Sequence, residues 1–238
     1  MKKIQIMLLV TVVAIGGRVG YAFYERHHDN SRAMNKAQPP PLNPDYYVTP
    51  KKLYAYDLKT ARQQLTQQPE WVKVGYSITY YPYSAARRHA DFSHESGLLL
   101  PLERLDIKDV ILDTAPKSSG QRQVMAVFAR ENKTYAFPVG AVQGDDYRFY
   151  VNDMLFIEEP HTLYTHWPPD IWDSIDKHEV KSGMSELQAD FAIGLGVPEG
   201  DSSEVQKTLD YANGGKPLKI TYVNGKATQI TSGPASQQ

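Results

Sequence analysis

Residues 123–139 of this chain, QVMAVFARENKTYAFPV, decide the fold of its middle part. The stretch holds two runs of apolar, β-branched and aromatic residues, Gln123 to Arg130 and Lys133 to Val139, with the dipeptide Glu131-Asn132 between them. Asparagine tolerates the positive φ angle that a tight turn requires. The stretch therefore predicts a β-hairpin.

Further elements are predicted on both sides of this hairpin. Trp71 to Tyr81 alternates apolar and polar side chains with a period of two, which is typical of a half-buried strand. Another strand is expected from about Arg104 to Asp113, and one or two short strands between Tyr147 and Ile157. Ahead of them, Asp57 is a suitable N-cap for a helix from Leu58 to Leu65. The pattern indicates a β-rich unit with one helix, typical of a small sandwich or an SH3-like barrel.

From residue 160 onward, the period of the apolar residues becomes helical. Two prolines precede a helix in which Trp172 and Ile175 share one face. Ser185 and Gln188 have the spacing of a capping box, which predicts a second helix. Asparagine and glycine residues then mark the turns between three short strands. These strands are expected at Lys207 to Tyr211, Leu218 to Val223 and Lys226 to Thr231.

This last part resembles a known module. The run 183–199, GMSELQADFAIGLGVPE, and the run 208–230, TLDYANGGKPLKITYVNGKATQI, are similar to modules of the SmpA/OmlA and β-lactamase-inhibitor-protein type. The resemblance spans Pro168 to Thr231. It implies a unit of two helices and three antiparallel strands that binds proteins without catalysis. The chain lacks the lipid-bearing cysteine of the outer-membrane assembly members, so only the fold and the binding character are carried over.

Residues 1–24 have the pattern of a membrane anchor or an export signal. Two lysines precede an apolar run from Ile4 to Gly17, and aromatic residues follow Arg18. Positive residues ahead of such a run favour a cytoplasmic N-terminus. An uncleaved anchor over residues 4–24 is expected, and a cleaved signal and a buried soluble helix are the alternatives. The uninterrupted run suits a signal, because a full span needs about 20 residues.

Four segments and an α+β fold class with an N-terminal transmembrane helix are therefore expected. The β-rich domain would precede a helix-helix-three-strand antiparallel module, and both would lie outside the cytoplasm, in the periplasm or at the cell surface. Four prolines in the linker favour an extended spacer. The segments are a membrane anchor or signal over residues 1–24, a proline-rich linker over 25–45, the β-rich domain over 46–160 and the α+β module over 161–238.

Composition excludes several classes of function. The chain has no cysteine, which excludes disulfides, thiolate catalysis and cysteine-based zinc sites. A net charge of −1 gives no bulk field for nucleic acid. No phosphate-binding glycine loop is found, because Gly194-x-Gly196 and Gly214-Gly215 do not link a strand to a following helix. Neither nucleic acid nor a cofactor is therefore expected as a partner.

Histidine offers only weak candidates for catalysis or metal binding. His161, His166 and His178 lie close in sequence but lack the spacing of a helical zinc motif, so no metal is expected. His94 and Glu95, beside two serines, are candidates for a hydrolytic site. The Gly-x-Ser-x-Gly elbow is absent, and no catalytic residue is assigned.

One cluster has the composition of a binding surface. Tyrosine and arginine are enriched where partners dock, because they bring contact area and planar donors. The alternative is a strand end whose tyrosines cover a core edge beside a solvated loop. The candidate binding residues are Tyr80, Tyr81, Tyr83, Arg87 and Arg88.

These observations favour a non-catalytic, membrane-tethered envelope protein that contacts the membrane through residues 4–24. Its expected partner is another envelope protein or a cell-wall component. The alternative is an extracytoplasmic hydrolase, or an accessory of a wall hydrolase, that uses the region of His94 and Glu95.

Overall fold

The structure is a computed structural model that carries the full chain. It falls into two compact units, residues 1–43 and 44–238. The fold described below belongs to the second unit. The described residues are 18–21, 23–25, 42–116, 120–200, 203 and 205–233.

Most regular structure in the second unit is β-strand, arranged in three sheets. The expected α+β class is therefore wrong, because strands dominate and the helices are few and short. The strands are β1 (Glu70–Val72), β2 (Thr79–Ser84), β3 (His89–Ala90), β4 (Gly97–Leu98), β5 (Arg104–Leu105), β6 (Ile107–Thr114), β7 (Arg122–Arg130), β8 (Lys133–Gln143), β9 (Asp146–Phe149), β10 (Leu155–Phe156), β11 (Gly196–Pro198), β12 (Gln206–Tyr211), β13 (Leu218–Val223) and β14 (Lys226–Ser232).

The α-helices of this unit are four or eight residues long. Two of them begin with the predicted caps: Asp57 and Ser185 each accept a hydrogen bond from the backbone N–H three residues on. Such caps satisfy amides that have no partner within the helix. The helices are α1 (Leu58–Leu65), α2 (Val151–Met154), α3 (Pro160–Leu163), α4 (Pro169–Asp176) and α5 (Glu186–Ile193).

The prediction of a transmembrane helix at residues 4–24 is wrong. No helix among the described residues combines the length and the apolar character that a bilayer crossing needs. An eight-residue helix rises only about 12 Å, whereas the hydrocarbon core is about 30 Å thick. Residues 18–21 and 23–25 are helical, and residues 1–17 and 22 of the predicted anchor lie outside the described residues. The single-pass and signal-anchor interpretation is corrected accordingly.

The predicted hairpin forms the middle of the largest sheet, which has seven strands. Strands β7 and β8 pair antiparallel from Gln123↔Ala141 to Arg130↔Lys133. Glu131 and Asn132 take φ angles of 50° and 62°, as a two-residue turn requires. The main path of this sheet runs β3-β2-β8-β7-β6, while β4 pairs with β2 and β9 with β8.

Both faces of this sheet are covered. Along β7, Val124, Ala126 and Phe128 enter the main core, which α1 also covers. The alternating residues Met125 and Val127 enter a second, smaller cluster on the other face. This arrangement explains why the hairpin is apolar at almost every position.

The chain between β2 and β4 covers that second face. Ala90 is fully buried there against residues of three neighbouring strands, and Phe92 packs beside it. Strands β3 and β6 lie at opposite ends of the sheet path, and within the described residues no backbone pairing joins them. Asp113 of β6 nevertheless contacts His89 and Ala90 of β3, and the expected SH3-like barrel stays a prediction.

The predicted strand from Trp71 to Tyr81 is broken in the structure into β1 and β2. At the break, Tyr76 has a φ angle of 57°, in the left-handed region. A Cβ atom on Gly75 would lie 2.3 Å from Pro101, so only glycine fits this close approach. Val72 and Val74 before the break and Ile78 and Tyr80 after it pack into the main core, whereas Tyr76 at the break contacts His178 instead.

A small three-stranded sheet, in the order β10-β1-β5, links the two largest hydrophobic clusters. Val72 of β1 and Leu155 of β10 belong to the main core. Their neighbours Trp71 and Phe156 pack into the C-terminal cluster. Adjacent residues on these strands thus point into two different cores.

The C-terminal part consists of α4 and α5 followed by an antiparallel sheet in the order β11-β12-β13-β14. Strand β11 is an addition to the three predicted strands. The Asn224-Gly225 turn joins β13 and β14 with φ angles of 50° and 73°. The core of this part lies between the helices and the sheet and contains Trp172, Phe191 and Tyr222.

Candidate functional site

Strand β2 carries the tyrosines that the sequence singled out. Tyr81 and Pro82 pair with Ala136 and Tyr135 of β8, and Tyr83 pairs with Ala90 on the opposite side. Pro82 has no N–H, and its carbonyl accepts a hydrogen bond of 2.8 Å from the Asp91 amide. Strand β2 is therefore held from both sides, which gives its side chains fixed positions.

Tyr80 belongs to the core rather than to a surface. Its side chain is buried, with the ring edge-on to Phe128 at 5.7 Å and to Tyr135 at 5.1 Å between centroids. Its hydroxyl accepts a hydrogen bond of 2.6 Å from Arg130, which also pairs with Glu103. Tyr80 therefore packs within the core of the sheet.

Tyr81 is half-buried on the second face of the sheet. Its ring meets Phe92 edge-on at a centroid distance of 5.1 Å. Burial raises the pKa of the Tyr81 hydroxyl, and the nearby Glu95 carboxylate raises it further. Tyr81 thus anchors the segment that covers this face.

Tyr83 and its neighbour Pro82 form the shared wall of two open grooves. We call them the Arg87 groove, with a volume of about 460 Å³, and the Lys133 groove, with about 450 Å³. Burial raises the pKa of the Tyr83 hydroxyl, so it stays protonated and can donate at neutral pH. The Arg87 groove is lined by Pro82, Tyr83, Ser84, Arg87, His89 and Asp91. The Lys133 groove is lined by Pro82, Tyr83, Ser96, Lys133, Thr134 and Tyr135.

The two predicted arginines lie in the turn between β2 and β3. Arg87 is exposed and lines the groove that carries its name. Its backbone N–H donates to the Ser84 hydroxyl at 3.4 Å. Arg88 is also exposed, has a φ angle of 51° and lines neither groove. Of the five predicted binding residues, the structure places Tyr83 and Arg87 at the grooves.

His89, which lines the Arg87 groove, forms a pair with Asp113 that sequence reasoning missed. His89 Nδ1 lies 2.6 Å from Asp113 Oδ1, and the other carboxylate oxygen accepts from the Ala90 amide at 2.8 Å. The Thr114 amide also donates to Asp113. Because the carboxylate accepts all these bonds, His89 Nδ1 carries the hydrogen, and in the neutral ring Nε2 is left as the acceptor.

One signal in the sequence could have drawn attention to Asp113. It follows Ile111 by two positions on a predicted strand, so an acidic side chain shares a face with a buried isoleucine. Its partner His89 is 24 residues away, and strand alternation alone does not reveal that distance.

The predicted hydrolytic candidate has a different geometry from a triad. Ser93 Oγ and Asp91 Oδ2 both lie 2.9 Å from the same nitrogen of His94, Nδ1. A triad needs the serine on one ring nitrogen and the acid on the other. The hydrogen bonds from Ser93 and His94 lower the pKa of Asp91 to about 2. Glu95 makes no part of this cluster, which is an exposed turn.

The other histidines contact separate partners. His161 stacks on Trp172 with 4.0 Å between ring centroids, His166 contacts Asp45 at 2.6 Å, and the His178 ring donates to the Ala192 carbonyl at 3.0 Å. No group of three metal-ligating side chains is found in the part of the chain that the structure describes. His27 and His28 lie outside the described residues.

Two acidic groups away from the grooves are withdrawn from solvent, Glu70 fully and Asp190 partly. Burial raises the pKa of Glu70 to about 8, and neither carboxyl oxygen has a hydrogen-bond partner among the described residues. Burial, and then the nearby Glu186, raise the pKa of Asp190 to about 7. A hydrogen bond from Tyr211 acts in the opposite direction. Neither group lines a groove, and both are expected to make the stability of the fold depend on pH.

Comparison with protein-family models, with curated proteins and with solved structures finds no match for this chain. The likeness of the C-terminal part to the SmpA/OmlA and β-lactamase-inhibitor-protein module therefore stays a prediction.

Proposed function

We propose that this chain is a non-catalytic binding protein that holds another protein or a cell-wall component at the two grooves beside Tyr83. The observation that carries the proposal is the shared wall: Pro82 and the aromatic side chain of Tyr83 line both of two open grooves of similar volume. Tyrosine contributes a large rigid surface at a small cost in conformational entropy, together with a hydroxyl donor. Such a residue is well suited to anchor a partner.

The groups that line the grooves support binding rather than chemistry. Hydroxyls, one arginine, one lysine and one histidine offer donors and acceptors to a ligand. Nearby, Ser93 and Asp91 both contact the same nitrogen of His94, Nδ1. This arrangement differs from that of a base oriented by a third group, which activates a nucleophile. The predicted hydrolase therefore gains no support from this geometry.

We also propose an extracytoplasmic location for the folded part. The support is the export-type pattern of two lysines ahead of the apolar run Ile4 to Gly17. Cell fractionation with a mass measurement of the mature N-terminus tests this proposal. Full-length protein found only in the cytosolic fraction would contradict it.

Site-specific cross-linking tests the binding role directly. A photoreactive residue in place of Ser96 would stand in the Lys133 groove, and the same residue in place of the exposed Gln63 on α1 serves as control. Irradiation of living cells is expected to yield a discrete adduct from position 96 and none from position 63. No adduct at either position, or the same adducts at both, would count against the proposal.

A further inference from the structure

On the basis of the proposed binding role, we infer that the ligand of the grooves is an extended acidic peptide segment of a partner protein. Three features carry this inference: two cations without a side-chain partner among the described residues, an aspartate that is already occupied, and a histidine whose Nδ1 is held by Asp113.

One cation lines each groove. Arg87 and Lys133 are both exposed, and within the described residues neither side chain has a hydrogen bond or an ion pair. By contrast, Arg130 nearby pairs with Glu103. An unpaired guanidinium can take a carboxylate through two parallel hydrogen bonds, and an ammonium attracts a carboxylate as a point charge. Acidic side chains on both sides of Tyr83 would match these two cations.

The one acidic residue that lines a groove is largely occupied. Asp91 Oδ1 accepts hydrogen bonds from the amide and the hydroxyl of Ser93, and its Oδ2 faces His94 Nδ1 at 2.9 Å. Both of its carboxylate oxygens are therefore already engaged by its own turn. Arg87 remains the cation in that groove, and its side-chain donors have no acceptor among the described residues.

His89 adds an acceptor beside these donors. Asp113 holds its Nδ1–H, so Nε2 is the ring nitrogen left to accept. Half of the His89 side chain is exposed, and it lines the Arg87 groove. A backbone N–H of a peptide can donate to this nitrogen while an acidic side chain binds Arg87. Every non-proline residue of a peptide carries such an amide donor beside its side chain, so an acidic peptide can occupy both groups together.

Fluorescence anisotropy with a labelled hexaglutamate peptide tests the ligand class on the folded full-length protein. We expect saturable binding that weakens at least tenfold between 50 and 300 mM salt, since both contacts are ionic. Arg87→Glu and Lys133→Glu should each weaken binding about tenfold or more. Lys108→Glu makes the same change of charge at an exposed site outside the grooves and should change affinity less than twofold.

Three outcomes would overturn the inference: no saturable binding of hexaglutamate, equal loss in Lys108→Glu, or binding of polygalacturonate in place of the peptide. These results are separable from the binding role itself. A groove-specific cross-link from position 96 without hexaglutamate binding removes the acidic-peptide ligand and leaves the proposed function standing. If neither the cross-link from position 96 nor hexaglutamate binding is observed, the proposed function is contradicted as well.

Discussion

Asp113 binds His89 across the sheet, with 2.6 Å between the carboxylate oxygen and the ring nitrogen. His89 belongs to β3 and Asp113 to β6, the two end strands of the sheet path. The buried carboxylate also accepts the Ala90 amide, so a single side chain fastens the covering segment to the far end of the sheet. The same contact fixes the ring that faces the Arg87 groove.

Replacing Asp113 by asparagine should destabilise the protein by about 2–4 kcal/mol. The NH₂ group of asparagine would face one of the N–H groups that now donate a hydrogen bond to the carboxylate, so two donors would oppose each other. Urea unfolding measures the change. Asp106→Asn is the matched control, because its side chain is half exposed and its pair with Arg104 is a surface contact. The control should stay within about 0.5 kcal/mol of the parent. Equal effects of the two substitutions would show that the Asp113 contact is not structural.

Glu70 should make stability depend on pH. Burial raises its pKa in the folded state to about 8, so the folded protein holds this proton more tightly than the unfolded chain does. Stability from this group is therefore complete at low pH and is lost as the pH rises from about 4.5 to about 8. The loss is at most about 5 kcal/mol. Asp190 acts with the same sign, up to a pH of about 7.

Glu70→Gln removes the titrating group and keeps the shape of the side chain. We expect the free energy of unfolding to fall between pH 5 and pH 8 in the parent and to fall clearly less in this variant. Urea unfolding at both pH values measures the difference. The remaining pH dependence of the free energy of unfolding should be smaller still in the double variant Glu70→Gln/Asp190→Asn. A slope unchanged by Glu70→Gln would contradict the buried, neutral state of this carboxyl group.

The C-terminal core contains a hydrogen bond of 2.8 Å between the hydroxyls of Tyr211 and Tyr222. Both side chains are about 1% exposed. Tyr222→Phe should therefore cost about 1 kcal/mol, because it removes the bond within a dry core. Tyr54→Phe, at a residue that is 77% exposed, removes the same hydroxyl from the surface and should change stability by less than about 0.5 kcal/mol. Thermal unfolding compares the two, and equal shifts would disprove the contribution of the bond.

The hairpin and both N-caps could be predicted because their causes are local. Asn132 supplies the positive φ, and Ser185 and Gln188 are three residues apart on one turn. The break at Gly75 could not, because its cause is the contact with Pro101, 26 positions further along the sequence. Side-chain alternation records which face is apolar but not where the backbone bends.

Only part of the candidate site could be predicted, again because the sequence pattern shows local relationships and not long-range contacts. Composition pointed to Tyr83 and Arg87, which are neighbours in sequence. Lys133 and Asp113 approach them only through pairing of distant strands, and Tyr80 turned out to be buried by contacts with Arg130 and Phe128. Site residues that are neighbours in sequence can thus be predicted, whereas the residues that complete a groove from another strand are known only once the strand pairing is known.

The most direct test of the account is the yield of the cross-linked adduct from position 96 in three backgrounds: the parent, Tyr83→Ala and Tyr54→Ala. Circular dichroism first establishes that all three are folded. If Tyr83 is the shared wall that anchors a partner, its replacement lowers the adduct at least tenfold, while Tyr54→Ala leaves the yield unchanged. An adduct that survives Tyr83→Ala at the parental level would contradict the claim that the two grooves beside Tyr83 form the binding site.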